Sequence, residues 1–234
     1  MAGLKARDAD LREVVMTDVC PYSLGIEISH ELGDGRHVAG QFSPIIERNT
    51  VVPVSRVRDY EPTQDGQEIL QLSIYQGESR AVRDNIRIGE LRIPLDRGTR
   101  AENAVAVRFT YDVNGILEVE ATRIATGEMH RIVIRSHASE LTDQQIAERF
   151  AALAELKVHP RDKLENRSVM AEAERVYAFL RGHARETMGN EITHFEAALN
   201  EQQPRGIESA RTRLRRAIDH FDRYNVFDTD PDPL

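Results

Sequence analysis

The sequence predicts a mainly β protein that turns helical towards its C-terminus: a β-sandwich of about eight short strands, then a helical part. Two observations carry this. Apolar residues alternate with period two up to the neighbourhood of Ser139, and recur with helical period beyond it. Turn signals, "QDGQ", "QGES", "VNG" and "ATGE", punctuate the first half at short intervals.

In "EILQLSIY" one strand face would carry Leu70, Leu72 and Ile74, and the other Gln71 and Ser73. "AVAVRFTYD", "ILEVEATRI" and the shorter "RIVIRS" alternate in the same way. After Ser139, Thr142 and Gln145 form a capping box at the head of a helix with Ile146, Phe150 and Leu153 on one stripe. A second helix is expected to begin near Pro160 and to run through "RDKLENRSVMAEAERVYAFLRGHARETM". Pro204 opens a last helix whose apolar face is Ile207, Ala210, Leu214, Ala217, Ile218 and Phe221. The tail "DTDPDPL" is acidic and proline-rich, and is expected to be disordered.

Composition narrows the function classes. The 234 residues suffice for one large domain or two small ones. A net charge of -8 disfavours nonspecific binding to nucleic acid or to acidic membranes. No apolar run approaches a membrane span, and the N-terminus lacks the apolar core of a secretory signal. Cys20 is the one cysteine, so neither a disulfide framework nor a cysteine metal site is possible within the chain. A cytoplasmic setting follows as the expectation.

Chemistry-bearing motifs are sparse. "GDG" at 33–35 is neither a phosphate-binding loop nor a dinucleotide fingerprint. His30 and His37 flank Glu31 and Asp34, but nothing fixes four ligands there, so no metal site is assigned. Asp228, Asp230 and Asp232 lack the glycine and closing glutamate of a calcium loop. Ser23 has no nucleophile elbow, no acid–base pair stands out, and no catalytic residue is assigned. Read from the residues alone, this is a non-enzymatic β domain with a helical appendage, built to bind something.

Four ordered blocks then carry a resemblance. "DVCPYSLGIEI" resembles the "DV-T-PLSLGIET" block that opens the substrate-binding domain of DnaK-type, seventy-kilodalton heat-shock chaperones. "IIERNTVVPV" is similar to the family's "LI-x-RNT-x-IP" strand pair, "IYQGESRAVRDNIRIGEL" to its "VxQGERxxAxDNxxLGxF", and "YDVNGILEVEATRIATGE" to its "FDIDxDGILxVxAxxxxTG". The similarity runs over roughly residues 14–185. It implies a chaperone of the stress response: a β-sandwich that holds extended apolar segments of unfolded polypeptides, under a helical lid. Release would be controlled by ATP and magnesium in an ATPase domain expected to be missing here, so that this chain has no cofactor of its own. A J-domain cochaperone and a nucleotide exchange factor would act through the full-length protein.

The resemblance also places residues. Glu13 to Asp18 occupy the family's apolar interdomain linker, with Val14, Val15 and Met16 as its apolar run and Asp18 closing it; the competing reading makes Val14–Met16 a first edge strand. Residues 1–18 would be linker and ATPase-domain remnant, 19–138 the peptide-binding sandwich, 139–225 the lid and 226–234 the tail. Pocket walls fall on Ile26, Ile28, Tyr60, Leu70, Leu72 and Val105. The arch over the peptide, apolar in one half in the family, falls on Ser29 and Thr63, and Glu61 brings an anionic group beside the groove. The segment from Ser29 to Arg48 is about ten residues longer than usual, which offers His30, Leu32 or His37 as a substitute arch residue. A lid latch is expected from Asp65 and Arg100 on the sandwich to Glu174 on the lid. The short lid and the tail, which lacks the terminal acidic signature of eukaryotic cytosolic members, place the resemblance in a divergent bacterial, HscC-like branch. Linker-in-groove self-association follows as an expectation, because Val14–Met16 flanked by charges has the chemistry of a client peptide. The alternative function is an adaptor or oligomerisation module with a vestigial groove for a dedicated protein partner.

Overall fold

The computed structural model describes residues 18–31, 37–135 and 142–227. "GDG", Leu32, Val14–Met16 and Asp228–Asp232 lie outside the described residues. Contacts divide the chain between Leu153 and Ala154 into two units.

The first unit is a sandwich of two four-stranded antiparallel sheets, as the period-two pattern predicts. Its strands are β1 (Leu24–Glu31), β2 (His37–Ile46), β3 (Val54–Tyr60), β4 (Ile69–Gln76), β5 (Ile86–Pro94), β6 (Val105–Tyr111), β7 (Leu117–Arg123) and β8 (Met129–Ile134). One sheet has the order β2-β1-β4-β5 and the other β3-β6-β7-β8. The alternating apolar faces meet between them: Ile26, Leu72, Ile74 and Ile93 from the first, Val105, Val107, Phe109 and Val119 from the second, all buried in one cluster.

β7 departs from a simple in–out alternation, because Glu118 on its other face is only 1% exposed. Its carboxylate accepts from Arg131 Nε at 2.5 Å, so the buried charge is partnered. Helix α1 (Asp143–Ala152) starts at the predicted capping box, with Thr142 Oγ1 accepting from Gln145 N and the Gln145 side chain returning to Thr142 N. It buries Ile146 and Phe150 against Ile116, with Val133 and Leu153 alongside. Arg149 Nη1 lies 3.9 Å from the carboxylate of Asp112, whose Oδ1 also accepts from Asn114 N and Ile116 N. Thus α1, which belongs by its period to the helical half, packs in the sandwich unit.

The second unit holds α2 (Leu164–Phe179), α3 (Gly182–Glu201) and α4 (Pro204–Phe227). The expectation of one helix from Pro160 through Met188 is corrected at both ends of α2. Pro160 opens a separate 3-10 turn, Pro160–Asp162, before α2 begins. At the other end Leu180 and Arg181 are extended, and Gly182 takes φ 53°, a left-handed conformation that only glycine adopts cheaply. The break returns Leu180 to the bundle core, which is built from Val169, Ala173 and Val176 of α2, Met188, Phe195 and Leu199 of α3, and Leu214 and Ile218 of α4. Pro204 opens α4 as predicted. No helix among the described residues is long and apolar enough to cross a membrane.

Phe150→Ala should therefore destabilise the sandwich unit by about 3 kcal/mol, the cost of emptying a buried aromatic site. Urea unfolding measures this. A midpoint equal to that of the parent chain would show that α1 does not contribute to the unit's stability.

Candidate functional site

The end of the sandwich at which the first block begins is held by a dense set of polar contacts. Cys20 N donates to Thr50 O at 2.8 Å, Asn49 N to Cys20 O at 2.7 Å, and Val52 N to Asp18 O at 3.0 Å. Asn49 makes the turn with φ 63°, a conformation that asparagine tolerates. Ser23 is the junction of three segments: its N and Oγ donate to the Glu78 carboxylate at 2.8 and 2.9 Å, and its Oγ accepts from Arg48 N at 3.1 Å. Glu78 is held in turn by its loop. Asn85 Oδ1 accepts from Ser79 N at 2.9 Å, and Asn85 Nδ2 donates to Ser79 O at 2.8 Å. Gly77 is required beside it: a Cβ there would meet Asn85 Oδ1 at 2.3 Å, at φ 147°. The glycine, acid and asparagine of "QGESRAVRDN" are therefore structural clamps on β1.

Once clamped, β1 begins in the middle of its sheet and ends at an edge. It pairs with β4 only at Leu24, Gly25 and Ile26, against Gln76, Tyr75 and Ile74. Continued in register, Ile28 would stand opposite Leu72 and His30 opposite Leu70. Instead the ladder to β4 stops, while β1 keeps its ladder to β2 as far as Glu31 and His37. Gly25 allows β2 to come this close, since a Cβ on it would lie 2.1 Å from Ser43 O. Beyond Ile26, then, β1 has no strand partner on its β4 side among the described residues, and β4 none on its β1 side.

Of the sequence-predicted wall residues, Ile28 lies on β1, and Leu70 and Leu72 on β4, past the point where the ladder stops; Tyr60 and Val105 pair with each other in the other sheet. Ile26, Leu72 and Val105 are fully buried parts of the core, while Ile28, Tyr60 and Leu70 are partly buried against the same cluster. The Tyr60 hydroxyl shares a 3.0 Å hydrogen bond with Ser43 Oγ. Burial pushes its phenol pKa up, opposed by that bond and by the Arg58 charge. Ser29 is half-buried at the irregularity where the β1–β2 register shifts between Ile28 and His30. Thr63 is exposed and braces its own loop, with N and Oγ1 both 3.2 Å from Gln67 Oε1.

Asp65 and Arg100 do meet, within the sandwich unit. Arg100 N donates to Asp65 Oδ1 at 2.7 Å, and an Arg100 Nη lies 3.6 Å from the Glu61 carboxylate. Gly66 N donates to Gly98 O at 2.8 Å, so the two loops are tied together. The anionic group that Glu61 brings to this end of the site is thereby offset by Arg100. Glu174 is exposed on α2, in the second unit. Cys20 is wholly buried, its thiol pointing to Tyr22 O at 3.0 Å; burial pushes the thiol pKa up, with a further push from Glu78. Among the described residues no group of three or more His, Cys, Asp or Glu could hold a metal ion.

Comparison with known proteins supplies the relationship. The profile of the Hsp70 protein family matches residues 1–229, nearly the whole chain. The chain belongs to the Hsp70 family. Its similarity to the chaperone protein DnaK of Mycoplasmoides gallisepticum is 34% identity over 138 residues, 58% of this chain. The chain spans only 22% of that Hsp70 relative's length.

Residue-by-residue reading missed Ser23, Glu78 and Asn85, whose signal was present as the "YSLG" of the first block and the "QGE" and "DN" of the third. Glu78→Ala should cost about 2 kcal/mol, because it removes a charged acceptor from two donors of Ser23. It should also speed labelling of Cys20 by a maleimide, which the native chain resists since a buried thiol of raised pKa supplies little thiolate. Equal labelling rates in the two proteins would contradict the clamp.

Proposed function

We propose that this chain is the substrate-binding part of a DnaK-type chaperone and that it holds extended apolar segments of unfolded polypeptides where β1 and β4 diverge. One observation carries the proposal: the β1–β4 ladder stops after Ile26, beside partly exposed Ile28, Tyr60 and Leu70. Two strand edges without partners can satisfy the backbone of an extended peptide, which gives tolerance of sequence. An apolar recess between them selects one aliphatic side chain, whose burial contributes roughly 1.5–3 kcal/mol. That magnitude suits transient holding.

ATP-controlled release, the J-domain and exchange-factor partners, and a cytoplasmic location belong to the whole protein and are part of the same proposal. So is the assignment of Val14–Met16 to an interdomain linker. Ser29 and Thr63, both small and polar, together with the long β1–β2 excursion, support placing the chain in the HscC-like branch.

Leu70→Asp should abolish binding of a fluorescent peptide with a central leucine, because a carboxylate facing an apolar recess opposes the anchor. Anisotropy titration reads the loss, and circular dichroism checks that the sheets remain. Leu70→Ala, a milder change, should weaken binding by about tenfold. Undiminished affinity in both variants would remove the β1–β4 divergence as the peptide site.

A further inference from the structure

A recess of about 400 Å³ shares Ile28 with the proposed peptide site. Its other lining residues are His30, Val38, Gln41 and Arg80. Its floor comes from the part of the β1–β2 hairpin that continues past the β4 ladder, where Ile28 pairs with Gln41 and His30 with Val38. Val38 is 42% exposed, so the apolar floor is uncovered.

The rim is cationic. Arg80 is fixed in place by its backbone, since Phe42 N donates to Arg80 O at 2.8 Å and Ala81 bridges to Gln41. Arg80 Nε donates to Gln41 Oε1 at 3.1 Å, which orients the guanidinium. Its Nη atoms have no polar partner among the described residues, and they form the end-on fork that suits a carboxylate. His30 is exposed across the recess and offers an imidazole N–H donor in either tautomer. Among the described residues no acidic side chain lines the recess. The neighbouring acid on β1, Glu27, alternates to the other face and accepts from the Tyr75 hydroxyl at 3.3 Å. At the loop end of the site, Glu61 is already offset by Arg100. Although the chain carries a net charge of -8, the charged side chain among the described lining residues is the cation Arg80.

We infer that the recess selects the client: an extended segment whose aliphatic anchor is followed by an aspartate or glutamate, the carboxylate seated between Arg80 and His30. The inference rests on the peptide-binding reading and adds a charge preference to it. The preference should be modest, about two- to fivefold for an exposed pair, and should weaken with salt.

The test uses three fluorescent peptides with one aliphatic core, flanked by Asp, Asn or Lys, titrated against the full chain at low and at physiological salt. The expected order of affinity is Asp, then Asn, then Lys. Arg80→Gln should bring the three within twofold of one another, and His30→Gln added to it should leave no order at all. Equal binding of all three peptides by the unsubstituted chain, or an order that survives in the Arg80→Gln, His30→Gln double variant, overturns the inference and leaves the peptide site standing. Binding of none of the three overturns the peptide reading and this inference with it.

Discussion

The three-residue ladder between β1 and β4 is the constraint on which the rest of the site depends. Leu24, Gly25 and Ile26 seat β1 in the middle of its sheet; from Ile28 onward the same strand is an edge. A strand can change roles in this way only if its start is firmly fixed. Here the fixing is polar: the Glu78 carboxylate takes two hydrogen bonds from Ser23, and Asn85 holds the Glu78 loop. Charge-assisted bonds of this kind are about twice as strong as neutral ones. They leave the far half of β1 free to diverge without unzipping the sheet.

The apolar core sets what the divergence exposes. Ile26, Leu72 and Val105 continue the sandwich interior up to the opening, and Ile28, Tyr60 and Leu70 close it incompletely. Charge is arranged around that opening in two ways. At the loop end Glu61 and Asp65 both engage Arg100, so acid and base offset one another. At the hairpin end Arg80 and His30 face an uncovered apolar floor that carries no acid among the described residues. The proposed binding of an extended chain requires only the partnerless edges of β1 and β4. The hairpin end bears on which extended chains are preferred.

Much of this was legible in the sequence, for physical reasons that differ from place to place. The period-two alternation of "EILQLSIY" and "AVAVRFTYD" reports burial directly, so the strands could be placed, with Leu72 and Val105 on their buried faces; the assignment of Leu70, Leu72 and Val105 to pocket walls came from the resemblance. The capping box at Thr142 is a local hydrogen-bond pattern and was equally readable. The break between α2 and α3 was not, because Leu180 leaves the helix to fill a tertiary core, and Gly182 alone does not announce a turn. Nor was the packing of α1 in the sandwich unit, which rests on Ile116 and Asp112, distant in sequence from Phe150 and Arg149. Arg80 was invisible for the same reason. Its role depends on the long β1–β2 hairpin bringing Gln41 beside the "QGES" loop.

The central claim is that extended peptide occupies the gap between the diverging halves of β1 and β4. Backbone amide spectra of the isotopically labelled chain, titrated with a leucine-centred peptide, test it most directly. The account predicts saturable shifts concentrated at Ile28–His30, Thr63 and Leu70–Leu72, with little change at Arg108 and Glu120 on the far face of the second sheet. Shifts confined to that far face, or to the helices of the second unit, would contradict it.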